Sequence, residues 1–325
     1  MRPFPRCVRN YRSPGREEYM AGSEVLCIGE ILWDALPEGL FLGGAPFNVA
    51  CHLRTTGAPV AMVSRIGADR LGEEALRRAT RYGVSTELIQ LDDTLPTGFV
   101  RVDVDQTGNP GYDILEPASW DALELTGELR ARAQRARAIV FGTLAQRHAT
   151  SRATIQRLWD TNALAVFDVN LRAPYEDREI VAASLHRADV VKLSGDELRR
   201  LAGWFGLVDD LQQSTTALAE LFACPVVCVT RGGEGAVMLR DGKWSEHSGY
   251  PVDVRDTVGA GDAFLAVLLA GLLAGGSDST LLQHANLIGS YVATQYGAVP
   301  ADQNAATAPP LTATKRPPRA KRKAR

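Results

Sequence analysis

Asp256-Thr-Val-Gly-Ala-Gly-Asp-Ala-Phe264 opens the most apolar run of the chain, which continues to position 274. Three small residues, Gly259, Ala260 and Gly261, stand together in this stretch. A turn with almost no side chains lets backbone N–H groups approach a ligand closely. The first turn of a helix leaves such donors unpaired at the positive end of its dipole. The stretch therefore predicts an anion-binding turn that leads into a buried helix.

A carboxylate, Asp262, follows this turn directly. At that place it can accept the proton of a hydroxyl group that attacks a phosphoryl group held by the turn. Taken alone, the stretch leaves an alternative open, namely a glycine-rich loop that enters a buried helix with Asp262 as the helix N-cap.

A second glycine-containing stretch, Leu42-Gly-Gly-Ala-Pro-Phe-Asn48, lies near the start of the chain. The pair Gly43 and Gly44 lets the backbone lie close to a polyhydroxylated ligand, and Asn48 offers both a donor and an acceptor to sugar hydroxyls. A plain turn at the two glycines, with Asn48 on the helix that follows, is the alternative.

Both stretches resemble signatures of one family. Residues 256–264 resemble the C-terminal signature of the ribokinase-like (PfkB) sugar kinases, and residues 42–53 resemble the N-terminal signature in its fructokinase form. The two stand in the family's order, and the resemblance extends from about Glu24 to Pro300. It implies an α/β fold, a ribokinase-like three-layer α/β/α sandwich with a mostly parallel central sheet and a small β-lid.

The pattern of apolar segments agrees with this fold. From Trp120 onward, apolar strands alternate with amphipathic helices, which favours a parallel sheet covered on both faces. The segments at about 32–42 and 97–115 alternate polar and apolar residues, and the resemblance makes them the lid. The last helix is predicted over 279–296. The domain prediction is a disordered leader at 1–22, a kinase domain at 23–302 and a disordered basic tail at 303–325.

Composition narrows the class of protein further. The chain has 325 residues, 45% hydrophobic and 23% charged, as is usual for a globular protein. Its five cysteines are scattered without metal-ligand spacing, which indicates free thiols in a reducing compartment and hence a cytoplasmic protein. No secretory signal is visible, and the apolar run at 263–274 is too short to cross a bilayer.

The resemblance implies a sugar-binding set and a phosphoryl-transfer set of residues. Asp262 would be the base, with Arg172 beside the transferring phosphoryl group, where a planar guanidinium suits phosphate oxygens. An ordinary surface salt bridge is the alternative for Arg172. The residues assigned to the sugar are Asp34, Gly43, Gly44, Asn48, Arg101 and Asn170.

The nucleotide and ion assignments also come from the resemblance. Glu197 would organise Mg²⁺ through water, and a K⁺ ion near Asp256 is compatible with the motif but not established by it. Ser194 replaces the family's Asn, and helix N-capping is its alternative role. The residues assigned to ATP are Lys192, Ser194, Thr230, Gly232, Gly235 and Asn286.

Together these features predict an ATP-dependent sugar kinase, with D-fructose as the expected acceptor. Kinases for 2-keto-3-deoxygluconate, ribose or another sugar remain alternatives, as does a non-catalytic sugar-responsive binding protein of the same fold. The chain has neither a Walker-type P-loop nor the motifs of protein kinases. The expected partners are the sugar and ATP, without membrane or nucleic acid, and a homodimer through the lid edges is a further prediction.

Overall fold

Thirteen strands and nine α-helices are present in the described part of the chain, which in the computed structural model comprises residues 24–36, 39–104 and 110–300. The predicted leader at 1–22 and tail at 303–325 lie outside it. The strands are β1 (Val25–Ile28), β2 (Leu32–Leu36), β3 (Gly39–Gly43), β4 (Val60–Gly67), β5 (Ile89–Asp92), β6 (Gly98–Val104), β7 (Pro110–Ile114), β8 (Ala138–Gly142), β9 (Leu164–Asp168), β10 (Val190–Ser194), β11 (Val226–Thr230), β12 (Ala236–Arg240) and β13 (Lys243–His247). The helices are α1 (Ala45–Thr55), α2 (Arg70–Arg81), α3 (Gly127–Ala133), α4 (Ala149–Arg157), α5 (Arg178–Arg187), α6 (Gly195–Phe205), α7 (Leu211–Phe222), α8 (Ala260–Leu273) and α9 (Asp278–Ala293).

The central sheet has nine strands in the order β13-β12-β11-β10-β9-β8-β1-β4-β5. All neighbours are parallel except the two pairs that involve β12. Its central strands are continuous apolar runs, as expected when both faces of a parallel sheet are covered.

The two faces of the sheet support separate hydrophobic cores. Along β1, Leu26 and Ile28 belong to one core, which also takes in α5 and α6, whereas Val25 and Cys27 belong to the other, with α1 and α8. Successive side chains of a strand point to opposite faces. The predicted three-layer α/β/α sandwich is therefore confirmed.

A second sheet of four strands, in the order β3-β2-β6-β7, forms the lid. Its strands come from the two segments predicted for it. Trp33 on β2 is buried, donates from Nε1 to the Leu71 carbonyl at 3.1 Å and lies under the Arg78 guanidinium. These contacts join the lid to α2.

Arg147 holds the other end of the lid to the body. Its buried guanidinium lies 4.0 Å from the Trp120 ring and 4.6 Å from the Tyr175 ring and pairs with Asp121 at 2.7 Å. It also donates to the carbonyl of Leu115, directly after β7, at 3.0 Å. One side chain thus fixes the point at which the lid returns to the body.

Three elements differ from the sequence prediction. The four-residue strand β5 and the two-turn helix α3 were not predicted, because neither is long enough to show a period in its apolar residues. The final helix ends at Ala293 rather than at 296. The residues after it turn back toward the N-terminus of α8.

None of the described helices is both long and apolar enough to span a bilayer. Cys27, Cys51 and Cys228 are buried free thiols, as predicted. Cys224 is also buried, with its Sγ 3.2 Å from the Leu185 carbonyl, and Cys7 lies outside the described ranges.

Candidate active site

The predicted anion-binding turn begins α8. Gly259 is its N-cap in the left-handed conformation, with φ of 76° and no side-chain cap. The Ala260 N–H donates to the Thr257 carbonyl at 3.3 Å, whereas the N–H groups of Gly261 and Asp262 find no acceptor within the described residues. The N–H of Gly259 likewise has no acceptor among the described residues, so the free donors of the turn are those of Gly259, Gly261 and Asp262. Ala260 is already engaged, unlike the sequence prediction.

Asp262 lies in the first turn of α8, so the alternative that makes it the N-cap is wrong. Its side chain is 8% exposed, and Oδ2 accepts a hydrogen bond of 2.8 Å from Nδ2 of Asn48 on α1. Two helix N-termini that are 214 residues apart in sequence thus meet through one buried contact.

The glycine pair before α1 brings Asp34 to the same place. A Cβ atom added to Gly43 would lie 2.8 Å from Asp34 Oδ2 and 3.9 Å from Asn48 Oδ1. Burial raises the pKa of Asp34 to about 6, although the Arg172 charge opposes the shift and Asp256 supports it. Asp34, Gly43, Asn48 and Asp262 therefore form one continuous polar surface.

Lys192 lies beside the anion-binding turn. Its Nζ is 3.0 Å and 3.2 Å from the two carboxylate oxygens of Asp168, and a Cβ on Gly261 would lie 3.0 Å from it. Burial lowers the pKa of Lys192, but the charges of Asp168, Glu197 and Asp262 outweigh it and raise the pKa overall. A buried, charged ammonium therefore lies beside the start of α8.

The residues after β9 border the cleft from the other side. Asn170 takes a left-handed backbone with φ of 37°. Arg172 is exposed and donates from Nη1 to the Leu171 carbonyl at 2.9 Å, while its charge lowers the pKa of both Glu30 and Asp34. Within the described residues the hydrogen bond of the Arg172 guanidinium is to a main-chain carbonyl rather than to a carboxylate, so the surface salt bridge is not supported.

Glu197 is held rigidly by two backbone amides. One carboxylate oxygen accepts from Ser194 N at 2.6 Å and the other from Leu171 N at 2.8 Å. Ser194 Oγ accepts from Glu197 N in return, which makes a capping box at the start of α6. With both oxygens engaged, Glu197 fits a contact to a metal through water better than direct coordination. Among the described residues there is no cluster of three ionisable metal ligands.

Residues assigned to the nucleotide separate into three places. A cavity of about 550 Å³ is lined by Ser194, Thr230 and Gly232, with Arg199 and Asp210 opposite. Gly235, with φ of 83°, shapes the turn beside this cavity, since a Cβ there would lie 2.0 Å from the His247 carbonyl.

Two further residues assigned to ATP do not line that cavity. Lys192 lies beside the start of α8, as described above. Asn286 is buried in α9, and its Nδ2 donates to the Leu282 carbonyl of the same helix at 2.7 Å. The ATP contact predicted for Asn286 therefore lacks support in this geometry, because the side-chain amide donates back to its own helix.

Arg101 was predicted to bind the sugar, but the strand register separates it from the other sugar residues. On the β2–β6 ladder Asp34 pairs with Val100, and Arg101 pairs with Ala35. Adjacent residues on a strand point to opposite faces, so Arg101 lies on the exposed face of the lid and Asp34 on the other.

The loop after α9 supports the anion-binding turn, which the sequence did not reveal. Asp256 accepts from the amides of Val258 at 2.9 Å and Gly297 at 3.0 Å. A Cβ on Gly259 would lie 2.5 Å from Ala298 Cα, and the Ala298 carbonyl bonds His52 Nε2 at 2.9 Å. The cation role of Asp256 remains a prediction.

Two buried ionisable residues of this region, Glu30 and His52, were not predicted as site residues. Burial lowers the pKa of His52, although the Ala298 carbonyl and Asp262 oppose the shift. The only sequence signal for Glu30 is an acid placed directly after a buried strand. No sequence signal pointed to a site role for His52, because a histidine on an apolar helix usually has a packing role alone.

Comparisons with known proteins identify the family of the chain. Residues 39–304 match the family model described as pfkB family carbohydrate kinase. A fructokinase from Salmonella typhimurium is 30% identical over 86% of this chain and 96% of its own length.

Solved structures show the same fold. A fructokinase from Vibrio cholerae O395, solved with fructose, ADP and calcium ion bound, is 26% identical with a TM-score of 0.72 and covers 85% of this chain and 94% of its own. An uncharacterized sugar kinase from Pyrococcus horikoshii, solved with ATP, is 26% identical with a TM-score of 0.73 and the same coverage. Because the family model matches residues 39–304 and the fructokinase relative is covered over most of its length, this chain belongs to the pfkB family of carbohydrate kinases.

Proposed function

We propose that this sugar kinase transfers the γ-phosphoryl group of ATP to the primary hydroxyl of D-fructose, which gives fructose 6-phosphate and ADP. The observation that carries the proposal is the continuous polar surface from Asp34 through Gly43 and Asn48 to Asp262, which meets the free N–H groups at the start of α8. The fructokinases among the relatives support fructose as the acceptor.

In this mechanism the hydroxyl oxygen forms a bond to the γ-phosphorus while the bond from that phosphorus to the β,γ-bridging oxygen breaks. Asp262 accepts the hydroxyl proton, and the Asn48 amide fixes the carboxylate for that transfer. The N–H groups of Gly261 and Asp262 bind the charge of the migrating group, and Lys192 adds a positive charge beside them.

The other assigned residues act on binding. Asp34 accepts hydrogen bonds from sugar hydroxyls, and Asn170 borders the sugar from the opposite side. Arg172, exposed at the mouth of the cleft, contacts the phosphate oxygens. Mg²⁺, when bound to the nucleotide, neutralises phosphate charge, and Glu197 would contact it through water. Closure of the lid excludes water as a competing acceptor.

Three further features belong to the same proposal. K⁺ near Asp256 would act beside the anion-binding turn. The lid leaves the edges of β3 and β7 without a partner strand among the described residues, which suits a homodimer. The buried free thiols of Cys27, Cys51 and Cys228 suit a reducing, cytoplasmic compartment.

A coupled assay of ADP release tests the proposal. The panel contains D-fructose, D-ribose, 2-keto-3-deoxygluconate and D-glucose, each with ATP and Mg²⁺, and the product is identified by NMR. We expect the highest kcat/KM with fructose and phosphate on its primary hydroxyl. A higher kcat/KM with another sugar would reject fructose but keep the kinase. Sugar binding by calorimetry without any ADP release would favour the non-catalytic alternative.

A further inference from the structure

One buried carboxylate in the cleft has no part in the mechanism above. Glu30 follows the carboxyl end of β1 and is only 2% exposed. Its Oε1 accepts a hydrogen bond of 3.1 Å from Ala45 N, whereas its Oε2 is buried without a hydrogen-bond partner among the described residues. Burying a carboxylate with so few partners costs free energy, so a local packing role alone does not explain it.

Glu30 provides the N-terminal cap that α1 lacks. The N-cap residue of α1 is Gly44, with φ of 111° and no side-chain cap of its own. Ala45 is the first residue of the helix, and its main-chain N–H donates the hydrogen bond that Glu30 accepts. A carboxylate at a helix N-terminus is stabilised by the helix dipole and fixes the direction in which the helix starts.

Gly44 is also packed tightly against Glu30. A Cβ atom at Gly44 would lie 2.4 Å from the Glu30 carbonyl oxygen and 3.3 Å from its Cγ. The turn that carries Gly43 and Gly44 therefore lies directly on Glu30, through both main chain and side chain.

A chain of hydrogen bonds continues from this cap to the proposed base. The main-chain N–H of Asn48 donates to the Gly44 carbonyl at 2.9 Å, and the side-chain Nδ2 of Asn48 donates to Asp262 Oδ2 at 2.8 Å. A displacement of the first turn of α1 would move Asn48. Asp262 would then lose the side-chain hydrogen bond that it receives from Asn48.

The charged groups that act on Glu30 come from two other elements. Burial raises its pKa to about 7, Arg172 in the loop after β9 opposes the shift, and Asp262 on α8 supports it. Its other close neighbours, Gly44 and Ala45, are uncharged. The carboxyl group therefore changes charge near neutral pH, between the two groups on which the reaction depends.

We propose that Glu30 is a positioning residue whose carboxylate caps α1 from outside the helix and thereby fixes Asn48, which in turn orients Asp262. It touches neither substrate. The proposal rests on the proposed function for its effect on turnover, but its effect on α1 is independent of which sugar the enzyme uses.

Two variants and one control test it. Glu30→Ala removes the cap, and Glu30→Gln keeps an acceptor of the same shape but no titratable charge. Thr126→Ala is the matched control, because Thr126 caps α3 through Leu129 N at 3.1 Å and lies outside the site. Amide hydrogen exchange is followed for the peptide over 43–51, and kcat and KM are measured from pH 5.5 to 8.5.

For Glu30→Ala we expect exchange at 43–48 to become about tenfold faster, equivalent to about 1.4 kcal/mol, which is within the range for a lost cap. Its kcat is expected to fall about 100-fold with the KM for ATP unchanged, the size that misplacement of a reacting group produces. Glu30→Gln is expected to keep the slow exchange and most of kcat, because its amide oxygen can accept from Ala45 N as the carboxylate does. Thr126→Ala leaves kcat and exchange at 43–48 unchanged.

Unchanged exchange in Glu30→Ala would overturn the proposal, as would a kcat within twofold of wild type in that variant. Failure of Glu30→Gln to restore slow exchange and kcat would also overturn it. If the wild-type chain phosphorylates no sugar, the proposed function fails, whereas the exchange comparison still decides whether Glu30 holds the start of α1.

Discussion

Asp262 and Asn48 show how single residues acquire a role from their place on an element. Each lies in the first turn of a helix that starts with a glycine in an unusual conformation, and neither helix has a side-chain cap at its own N-cap position. Because these glycines carry no side chain, the helix starts can approach each other and the ligand. The chemistry therefore depends on main-chain geometry as much as on the carboxylate.

Replacement of Asp262 by Asn is expected to lower kcat by about 10³-fold, within the range for loss of a general base. The affinity for ATP is expected to remain, because the donors of the turn belong to the main chain. Initial rates and calorimetry measure the two effects. Asp177→Asn, which alters the exposed cap of α5, is the control and keeps wild-type turnover. A kcat within tenfold of wild type in the Asp262 variant would exclude it as the base.

Glu30 also makes the stability of the protein depend on pH. Its pKa is raised from 4.5 to about 7, so the folded state binds this proton more tightly than the unfolded state. The resulting stabilisation is complete below about pH 4.5 and is lost as the pH rises through 7.

Glu30→Gln is therefore expected to gain stability over the wild type as the pH rises from 5 to 8. The difference between their free energies of unfolding is expected to grow by up to about 3 kcal/mol over this range, because each pKa unit of the shift corresponds to 1.36 kcal/mol. Urea unfolding of both proteins at the two pH values measures it, and other titrating groups cancel. A constant difference would show that Glu30 titrates normally.

At the scale of elements, the start of α8 and the loop after α9 form one unit. Gly259→Ala places a methyl group against the Ala298 backbone and also forces a left-handed conformation on Ala. Gly206→Ala is the matched control, with φ of 68° and no atom within 4 Å of the added carbon.

We expect Gly206→Ala to cost about 1 kcal/mol of stability, because that is the cost of a left-handed conformation for Ala. Gly259→Ala is expected to lower the free energy of unfolding by clearly more than this and to weaken ATP binding. Thermal unfolding and calorimetry measure both. Equal loss of stability in the two variants, with intact ATP binding, would contradict the contact with the loop after α9.

The pair Lys192 and Asp168 lies on adjacent strands at matching register positions of β10 and β9. Lys192→Met alone is expected to cost about 3 kcal/mol, because it leaves a buried carboxylate unpaired. Adding Asp168→Leu is expected to recover much of the stability without recovering kcat. Urea unfolding and initial rates separate the two effects. Recovery of kcat in the double variant would show that Lys192 serves the fold alone.

At the scale of the whole molecule, the sequence predicted those features of the fold that are encoded in its periodicity and composition. Alternating apolar strands and helices predicted the covered parallel sheet, and two polar-alternating segments predicted the lid. Contacts between residues distant in sequence were beyond such patterns. The bond between Asn48 and Asp262, the cap from Glu30 to Ala45 and the face of the lid on which Arg101 lies all follow from tertiary packing and strand register.

Substitution of Arg147 tests how the lid is attached to the body. Arg147→Lys keeps the charge but loses the planar group between Trp120 and Tyr175. We expect the KM for the sugar to rise about tenfold, equivalent to about 1.4 kcal/mol, with the KM for ATP unchanged. Arg132→Lys, in an ion-pair cluster with Glu24 and Glu87 away from the lid, is the control. An unchanged sugar KM in Arg147→Lys would show that the lid does not depend on this anchor.

The placement of two indoles gives the enzyme an intrinsic optical reporter. Trp33 lies within the lid and Trp120 beside its attachment, each about 1% exposed, and both stack against a guanidinium. Cationic groups over an indole change its emission intensity, so closure over a sugar is expected to alter the fluorescence of the unlabelled protein. Stopped-flow mixing could then follow domain motion and chemistry in the same cuvette, without attaching any dye.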